Sequence, residues 1–514
     1  MEQTRMKRSV KNTVTGLLNY VIHTILTFVI KTVFIYVLGA ELLGLNSLFA
    51  NILTILSLAD LGIGSALVFS MYKPMAEQDY AKVNALVKLY KKLYFIIAGI
   101  VITIGLILFP FLKYLINADN TLYVNIYILY LMCLTNTVIG YFFAHRKALI
   151  FTSQRNDVEN IISICINLFG KLAEISIIFI FKNYYAYYAT TMTFTLIEGI
   201  VTYIASSKVY RHIKEAAGVI TKEEKQEIFK SVRGLLCHKI GIAVVTGTDN
   251  IIISRFINLT TLGAYSNYIL LATSISAVLT MILTAVKASF GNIVATKTPE
   301  EVEKTQFKVL FMYSWLTTFC ATSLLCLLQP FIKMWLPDQY AISFLTVVMI
   351  VLSFSIDKMR NVIQMVRDCA GLFSYKKWCP ICEAILNLVA SYVLVHFMGL
   401  PGVILGTIIG YVVFPLLIEP YVVYKYYYKK GMFSYWKKWL LYFLLGVAIA
   451  TVTYLLCLLI PGGGIWWFIV KCAICLIVPN GLMTLFYFKT DEFKYYVNLS
   501  KGFLSKVFKR NKNK

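Results

Sequence analysis

Residues 16–38 read GLLNYVIHTILTFVIKTVFIYVL, and residues 39–49 continue GAELLGLNSLF. The first stretch carries one fixed charge, Lys31. As a helix it extends about 34 Å, enough to cross about 30 Å of hydrocarbon. Residues 39–41 then turn the chain into a second apolar run. The same unit, a long apolar run closed by a short polar turn, recurs almost to Phe488. Fourteen runs can be set out, at about 16–38, 42–70, 93–117, 122–144, 158–181, 184–207, 234–257, 262–291, 309–331, 340–363, 378–397, 402–424, 439–460 and 465–488. The expected fold is an all-α polytopic membrane protein of about fourteen transmembrane helices. Composition agrees, with 59% hydrophobic and only 14% charged residues, against about 25% charged in a soluble domain. A secreted factor, a cytosolic enzyme and a nucleic-acid binder are excluded.

The net charge of +24 reports topology. With the N-terminus, every second loop and the C-terminal tail placed in the cytoplasm, 41 of the 49 Lys and Arg fall on that side. Lys113, Lys182, Arg255 and Lys333 face out, while Lys31, Lys171, Lys239 and Lys471 lie within runs. That bias is the positive-inside rule, so both termini are expected inside; one span more or fewer would destroy the asymmetry. The basic start MEQTRMKRSVK resembles a signal sequence, but the run behind it is too long and an uncleaved first span is expected. The loops are too short for a soluble catalytic domain, and no G-x-x-x-x-G-K-[ST] loop occurs. No ATP hydrolysis, enzyme activity or cofactor is therefore expected. Most of the eleven cysteines, among them Cys326, Cys457 and Cys475, read as small core residues. Cys379 and Cys382 have metal-like spacing without a second Cys or His pair nearby, so no metal site is expected.

A weak internal echo appears at an offset of 219 residues: Leu43-Gly44-Leu45-Asn46-Ser47 against Leu262-Gly263-Ala264-Tyr265-Ser266. Each copy follows a span that opens just after a basic stretch. Six helices separate the copies, which implies parallel repeats with a site between two bundles. The expected organisation is a six-helix bundle at 1–207, a cytoplasmic linker at 208–233, a second six-helix bundle at 234–424, two further helices at 425–488 and a basic tail at 489–514.

Ionisable groups at membrane depth cost at least about 2.5–3.5 kcal/mol and mark sites or locks. Lys31 and Asp249 fall at matched depths of the first and seventh spans and suggest either a cavity lined from both halves or a structural ion pair. Asp60 with His238-Lys239 forms a second group nearer the cytoplasm, with helix packing as its plain alternative. Lys171 and Glu174, spaced i, i+3, are expected to pair. Glu198 has no local partner and is expected either to bind a proton or to meet Lys171. Asp357, Glu383 and Glu419 are expected near the inner boundary, screened by Lys358, Lys376, Lys377 and Lys425. Candidate substrate-binding residues are thus Lys31, Lys239 and Asp249; candidate coupling or gating residues are Asp60, Glu198, Glu174 and Lys171.

Four features then resemble the polysaccharide repeat-unit flippases, the Wzx-type exporters of the multidrug/oligosaccharidyl-lipid/polysaccharide superfamily. They are Lys7-Arg8-Ser9-Val10-Lys11-Asn12, the turn ELLGLNSLF at 41–49, DLGIGSA at 60–66 and ASFGN at 288–292. The resemblance implies a bacterial multi-pass cell-membrane protein that moves an undecaprenyl-pyrophosphate-linked oligosaccharide from the inner to the outer leaflet for capsule or surface polysaccharide. It also implies membrane lipid, a coupling ion (H+ or Na+) and other surface-polysaccharide assembly proteins as partners. Lys31 is the best match to the cationic lining of such exporters, with Lys239 second. The arginine cluster of related peptidoglycan-precursor flippases is missing from the first spans. A small-cation or drug antiporter on the same fold is the alternative, and Asp60, Asp249 and Glu198 are the acids it would use.

Overall fold

A computed structural model describes residues 2–57, 63–116, 124–153, 155–209, 211, 213, 218–226, 228–229, 247–372, 379–460 and 464–512. Among them there is no strand. Fifteen main helices follow one another: α1 Glu2–Leu38, α2 Ala40–Leu56, α3 Ile63–Ala76, α4 Tyr80–Leu108, α5 Ile126–Thr152, α6 Asn156–Phe181, α7 Tyr184–Val209, α8 Leu259–Thr296, α9 Pro299–Trp335, α10 Phe344–Cys369, α11 Cys379–Met398, α12 Leu400–Tyr428, α13 Phe433–Leu458, α14 Ile465–Tyr487 and α15 Asp491–Lys512. The protein is an all-α polytopic membrane protein.

Ten of these helices (α1, α4–α6, α8, α9 and α11–α14) are long and apolar enough to cross a membrane. The other expected spans are shorter or more polar. The run at 42–70 is divided between α2, with 17 residues, and α3. The helix α7 is rich in Tyr and Thr, and α10 carries Asp357, Lys358 and Arg360. Only residues 247–256 of the expected seventh span are described as helix, and most of 234–257 lies outside the described residues. Within the cytoplasmic connection expected at 208–233, residues 222–226 are helical. Helices also run further than the apolar runs. The basic segment around Arg146 and Lys147 is the last part of α5 rather than loop, and α8 continues to Thr296.

Local chemistry sets the ends. Gly39 alone joins α1 to α2 at φ 91°, a conformation that only glycine enters without strain. Gly399 at φ 62° does the same between α11 and α12. Asn125 Oδ1 accepts the Tyr127 N–H at 3.0 Å and caps α5. Thr298 and Glu301 form a capping box ahead of α9, with Pro299 in its first turn.

Two compact units emerge. The first holds residues 1–267 with 380–388, and the second 268–379 with 389–514. In the first, α1 lies along α6, α5 packs on α4 and α7, and α6 packs on α7. In the second, α9 is the central helix, against α10, α13 and α14, with α12 on α10.

Candidate functional site

The two sequence echoes meet in the first unit. A Cβ built on Gly44 of α2 would stand 1.9 Å from the Leu259 carbonyl oxygen and 3.0 Å from the Gly263 nitrogen. A Cβ on Gly263 of α8 would stand 1.9 Å from the Ala40 carbonyl oxygen and 3.1 Å from the Gly44 nitrogen. The contacts are reciprocal at the 219-residue offset: Ala40 answers to Leu259 and Gly44 to Gly263. Glycine at both positions lets the two backbones touch, as small residues do where membrane helices cross closely.

Lys31 sits beside this crossing. Its ammonium donates to the Ser266 carbonyl oxygen at 3.1 Å and to Ser266 Oγ at 3.5 Å. Ser266 Oγ in turn donates to the Gly263 carbonyl at 2.8 Å. Among the described residues Lys31 forms no ion pair, so neutral oxygens alone hold a cation placed about 10 Å from the end of α1. Next to it on α1, Phe34 meets the rings of Tyr184 and Tyr187 edge-on, at 5.4 and 5.2 Å. Tyr184 donates to Asn46 Oδ1 at 3.1 Å. Both tyrosines are buried, and they pack the helices around Lys31.

Asp249, expected opposite Lys31, is held elsewhere: Asn387 Nδ2 donates to Asp249 Oδ1 at 3.4 Å, and Thr248 Oγ1 donates to Asn387 Oδ1 at 3.3 Å. Lys171 Nζ donates to Glu174 Oε2 at 2.7 Å, and Thr191 Oγ1 to Glu174 Oε1 at 2.9 Å. Glu174 is buried. Glu198 meets Lys147 Nζ at 3.3 Å, not Lys171, and the same ammonium also pairs with Glu159. Asp60 and Lys239 lie outside the described residues. Among the described residues Lys31 is thus a partly buried cation without a counter-charge, at a helix crossing, whereas Glu174 and Glu198 already have basic partners.

The description polysaccharide biosynthesis protein fits the family that matches residues 9–288. The chain belongs to this family. Solved structures place the family member's fold with known transporters. It is similar to the lipid II flippase MurJ in an inward closed conformation, at 13% identity and a TM-score of 0.64 over 93% of this chain and 99% of that one. It is similar also to an inward-facing MATE-family multidrug resistance transporter of the MOP superfamily, at 13% identity and a TM-score of 0.62 over 78% and 94%. A third is the MATE transporter VcmN of Vibrio cholerae, at 13% identity and a TM-score of 0.57 over 83% and 98%. No curated protein matches in sequence.

The second unit carries polar networks of which the sequence showed only the Asp357–Lys358 neighbourhood. Arg367 donates to Glu419 Oε1 at 3.0 Å, both buried, and also grips Asp368, which takes Lys287 at 2.8 Å. Asp357 pairs with Lys358 and Arg360, each at 2.9 Å. Tyr424 donates to Glu303 Oε1 at 2.8 Å, and Lys430 pairs with Glu303 as well. Of the four lysines expected to screen Asp357, Glu383 and Glu419, Lys358 pairs with Asp357, Lys425 donates to the Tyr421 hydroxyl at 2.7 Å, and Lys376 and Lys377 lie outside the described residues. Beyond the expected Asp357–Lys358 pair, only the short i, i+3 spacing of Asp357 to Arg360 could have signalled any of this.

Proposed function

We propose that the chain translocates an undecaprenyl-pyrophosphate-linked oligosaccharide repeat unit from the inner to the outer leaflet of a bacterial cell membrane, for capsule or other surface polysaccharide. The carrying observation is Lys31. A cation at membrane depth costs at least about 2.5–3.5 kcal/mol, and among the described residues only the oxygens of Ser266 answer it. A pyrophosphate supplies the missing counter-charge, while the polyprenyl tail of the same cargo stays in lipid. The family match supports a role in polysaccharide biosynthesis, and the likeness to MurJ supports a lipid-linked cargo.

In this reading the chain has both termini in the cytoplasm, the 1–207 and 234–424 segments act as bundles that rock in alternating access, and no ATP is hydrolysed. H+ or Na+ drives the cycle, with Glu174, Lys171, Glu198 and Asp60 as coupling groups and Asp249 and Lys239 as further cargo contacts. A small-cation antiporter is the second reading, favoured by the Asp249 carboxylate and the MATE likeness. Deleting the gene separates the two. Loss of surface glycan with accumulation of lipid-linked repeat unit on the inner leaflet supports the flippase, and intact glycan with raised sensitivity to cationic drugs supports the antiporter.

A further inference from the structure

A cavity of about 350 Å³ lies in the first unit, among the first part of α4 and the last turns of α5 and α7. Four nitrogen bases line it: Lys88 and Lys91 from α4, His145 and Arg146 from α5. None of its described lining residues is acidic. The lysines are exposed at the rim, but the other two are embedded, His145 at 5% and Arg146 at 8% exposure. Even so, among the described residues Arg146 Nε meets no hydrogen-bond partner. The guanidinium lies 4.4 Å from the centre of the Tyr203 ring, which fixes its plane.

Buried polar atoms are almost always satisfied, and like charges gathered without an acid repel one another. A ligand with several anionic oxygens cures both defects. The planar, multi-donor guanidinium with two ammonium groups beside it is the chemistry that proteins use for phosphate. One wall identifies the kind of phosphate. Phe95 and Phe142, with ring centroids 5.1 Å apart, are exposed on two helices apolar enough to cross a membrane. A soluble anion has no use for that wall, whereas acyl chains do.

We propose that this cavity binds the phosphate headgroup of an anionic membrane phospholipid, with its acyl chains laid along Phe95 and Phe142. Basic pockets between membrane helices hold anionic headgroups in this way. The site is separate from Lys31 and stands whether or not the flippase reading does.

The test uses the full chain purified in a neutral detergent, with phosphatidylglycerol or phosphatidylcholine of the same acyl chains added. Retained lipid is read by native mass spectrometry and stabilisation by thermal melting. Phosphatidylglycerol should be retained and raise the melting temperature, and phosphatidylcholine should do neither. Each cation removed should weaken retention about fivefold, so the double variant Lys88→Gln with Lys91→Gln should lose about thirtyfold. Arg146→Gln should lose at least as much as one lysine, and if it fails to accumulate, the two exposed lysines still decide the matter. Equal retention of phosphatidylcholine, or phosphatidylglycerol retention unchanged in the lysine variant, overturns the proposal. So does equal stabilisation by inorganic phosphate, or displacement of phosphatidylglycerol by lower concentrations of farnesyl pyrophosphate, which would assign the pocket to a prenyl-linked cargo.

Discussion

Replacing Gly44 by alanine tests the helix crossing beside Lys31. The new methyl would start 1.9 Å from the Leu259 carbonyl oxygen and 2.8 Å from its carbon. Both are backbone atoms of α8, so no side chain can swing aside, and the helices must separate by about 1 Å to reach the shortest tolerable contact. Overpacking of this kind costs about 1–3 kcal/mol. Alanine regains about 0.5–1 kcal/mol of helix propensity over glycine, which leaves a net loss of about 1–2 kcal/mol. Gly263→Ala should cost the same, because its methyl meets Ala40 in the reciprocal position. The double variant should cost less than the two singles together, since one separation relieves both clashes. Gly99→Ala and Gly140→Ala are the controls: nothing lies within 4 Å of either added methyl, so they should hold or gain stability. The assay is thermal melting of the purified protein in detergent, scored by size exclusion. If Gly44→Ala and Gly263→Ala melt with the controls or above them, the crossing is not as close as described.

Glu174→Ala leaves the Lys171 ammonium without its carboxylate, and loss of a buried partner costs about 3–5 kcal/mol. Adding Lys171→Ala should recover part of the melting temperature, and a double variant no better than the single would exclude a structural pair. Outside the spans, Glu224 is held below its ordinary carboxyl range, first by the hydrogen bond from Lys82 and next by the Thr221 backbone. A depressed carboxyl stabilises above its unfolded value, near about 4.3, and loses that contribution as pH falls through the folded value. Hydrogen exchange over 218–226, corrected for intrinsic rates, should therefore rise on acidification, and Glu224→Gln should remove the pH dependence; an unchanged pH profile would refute the tether. For topology, a cysteine at Lys182 should react with an impermeant thiol reagent from outside and one at Lys222 should not, the opposite pattern reversing the orientation.

Hydrocarbon thickness made the fold legible. A helix that must cross about 30 Å writes its length into the sequence as an apolar run. The exceptions are instructive. The polar content of α10 goes with a helix largely buried among its neighbours, whereas α7 is polar yet exposes Leu196, Ile200 and Ile204; α5 carries Arg146 and Lys147 beyond its apolar run, which hid Lys147 as the partner of Glu198. Pairs one helical turn apart, such as Lys171 with Glu174, could be read from spacing alone. Arg367 with Glu419 or Tyr424 with Glu303 could not, because 52 and 121 residues separate them. The echo at Gly44 and Gly263 pointed to a real contact, but matched depth did not pair Lys31 with Asp249. One residue of register turns a helical side chain by about 100°, and Asp249 stands one residue short of the 219-residue offset.

The central claim is that Lys31 meets the cargo's anionic group, and four variants in a strain lacking the native gene test it most directly. Membrane abundance and surface glycan are measured together for wild type, Lys31→Arg, Lys31→Ala and Lys31→Ala with Asp249→Ala. Neutral oxygens hold the ammonium, so removing it strands no carboxylate, and Lys31→Ala should reach normal abundance yet export no glycan. Lys31→Arg should keep partial export, since the charge survives in a different shape, and the double variant should rescue nothing. Wild-type glycan from Lys31→Ala, or joint recovery of abundance and export in the double variant, would contradict the account.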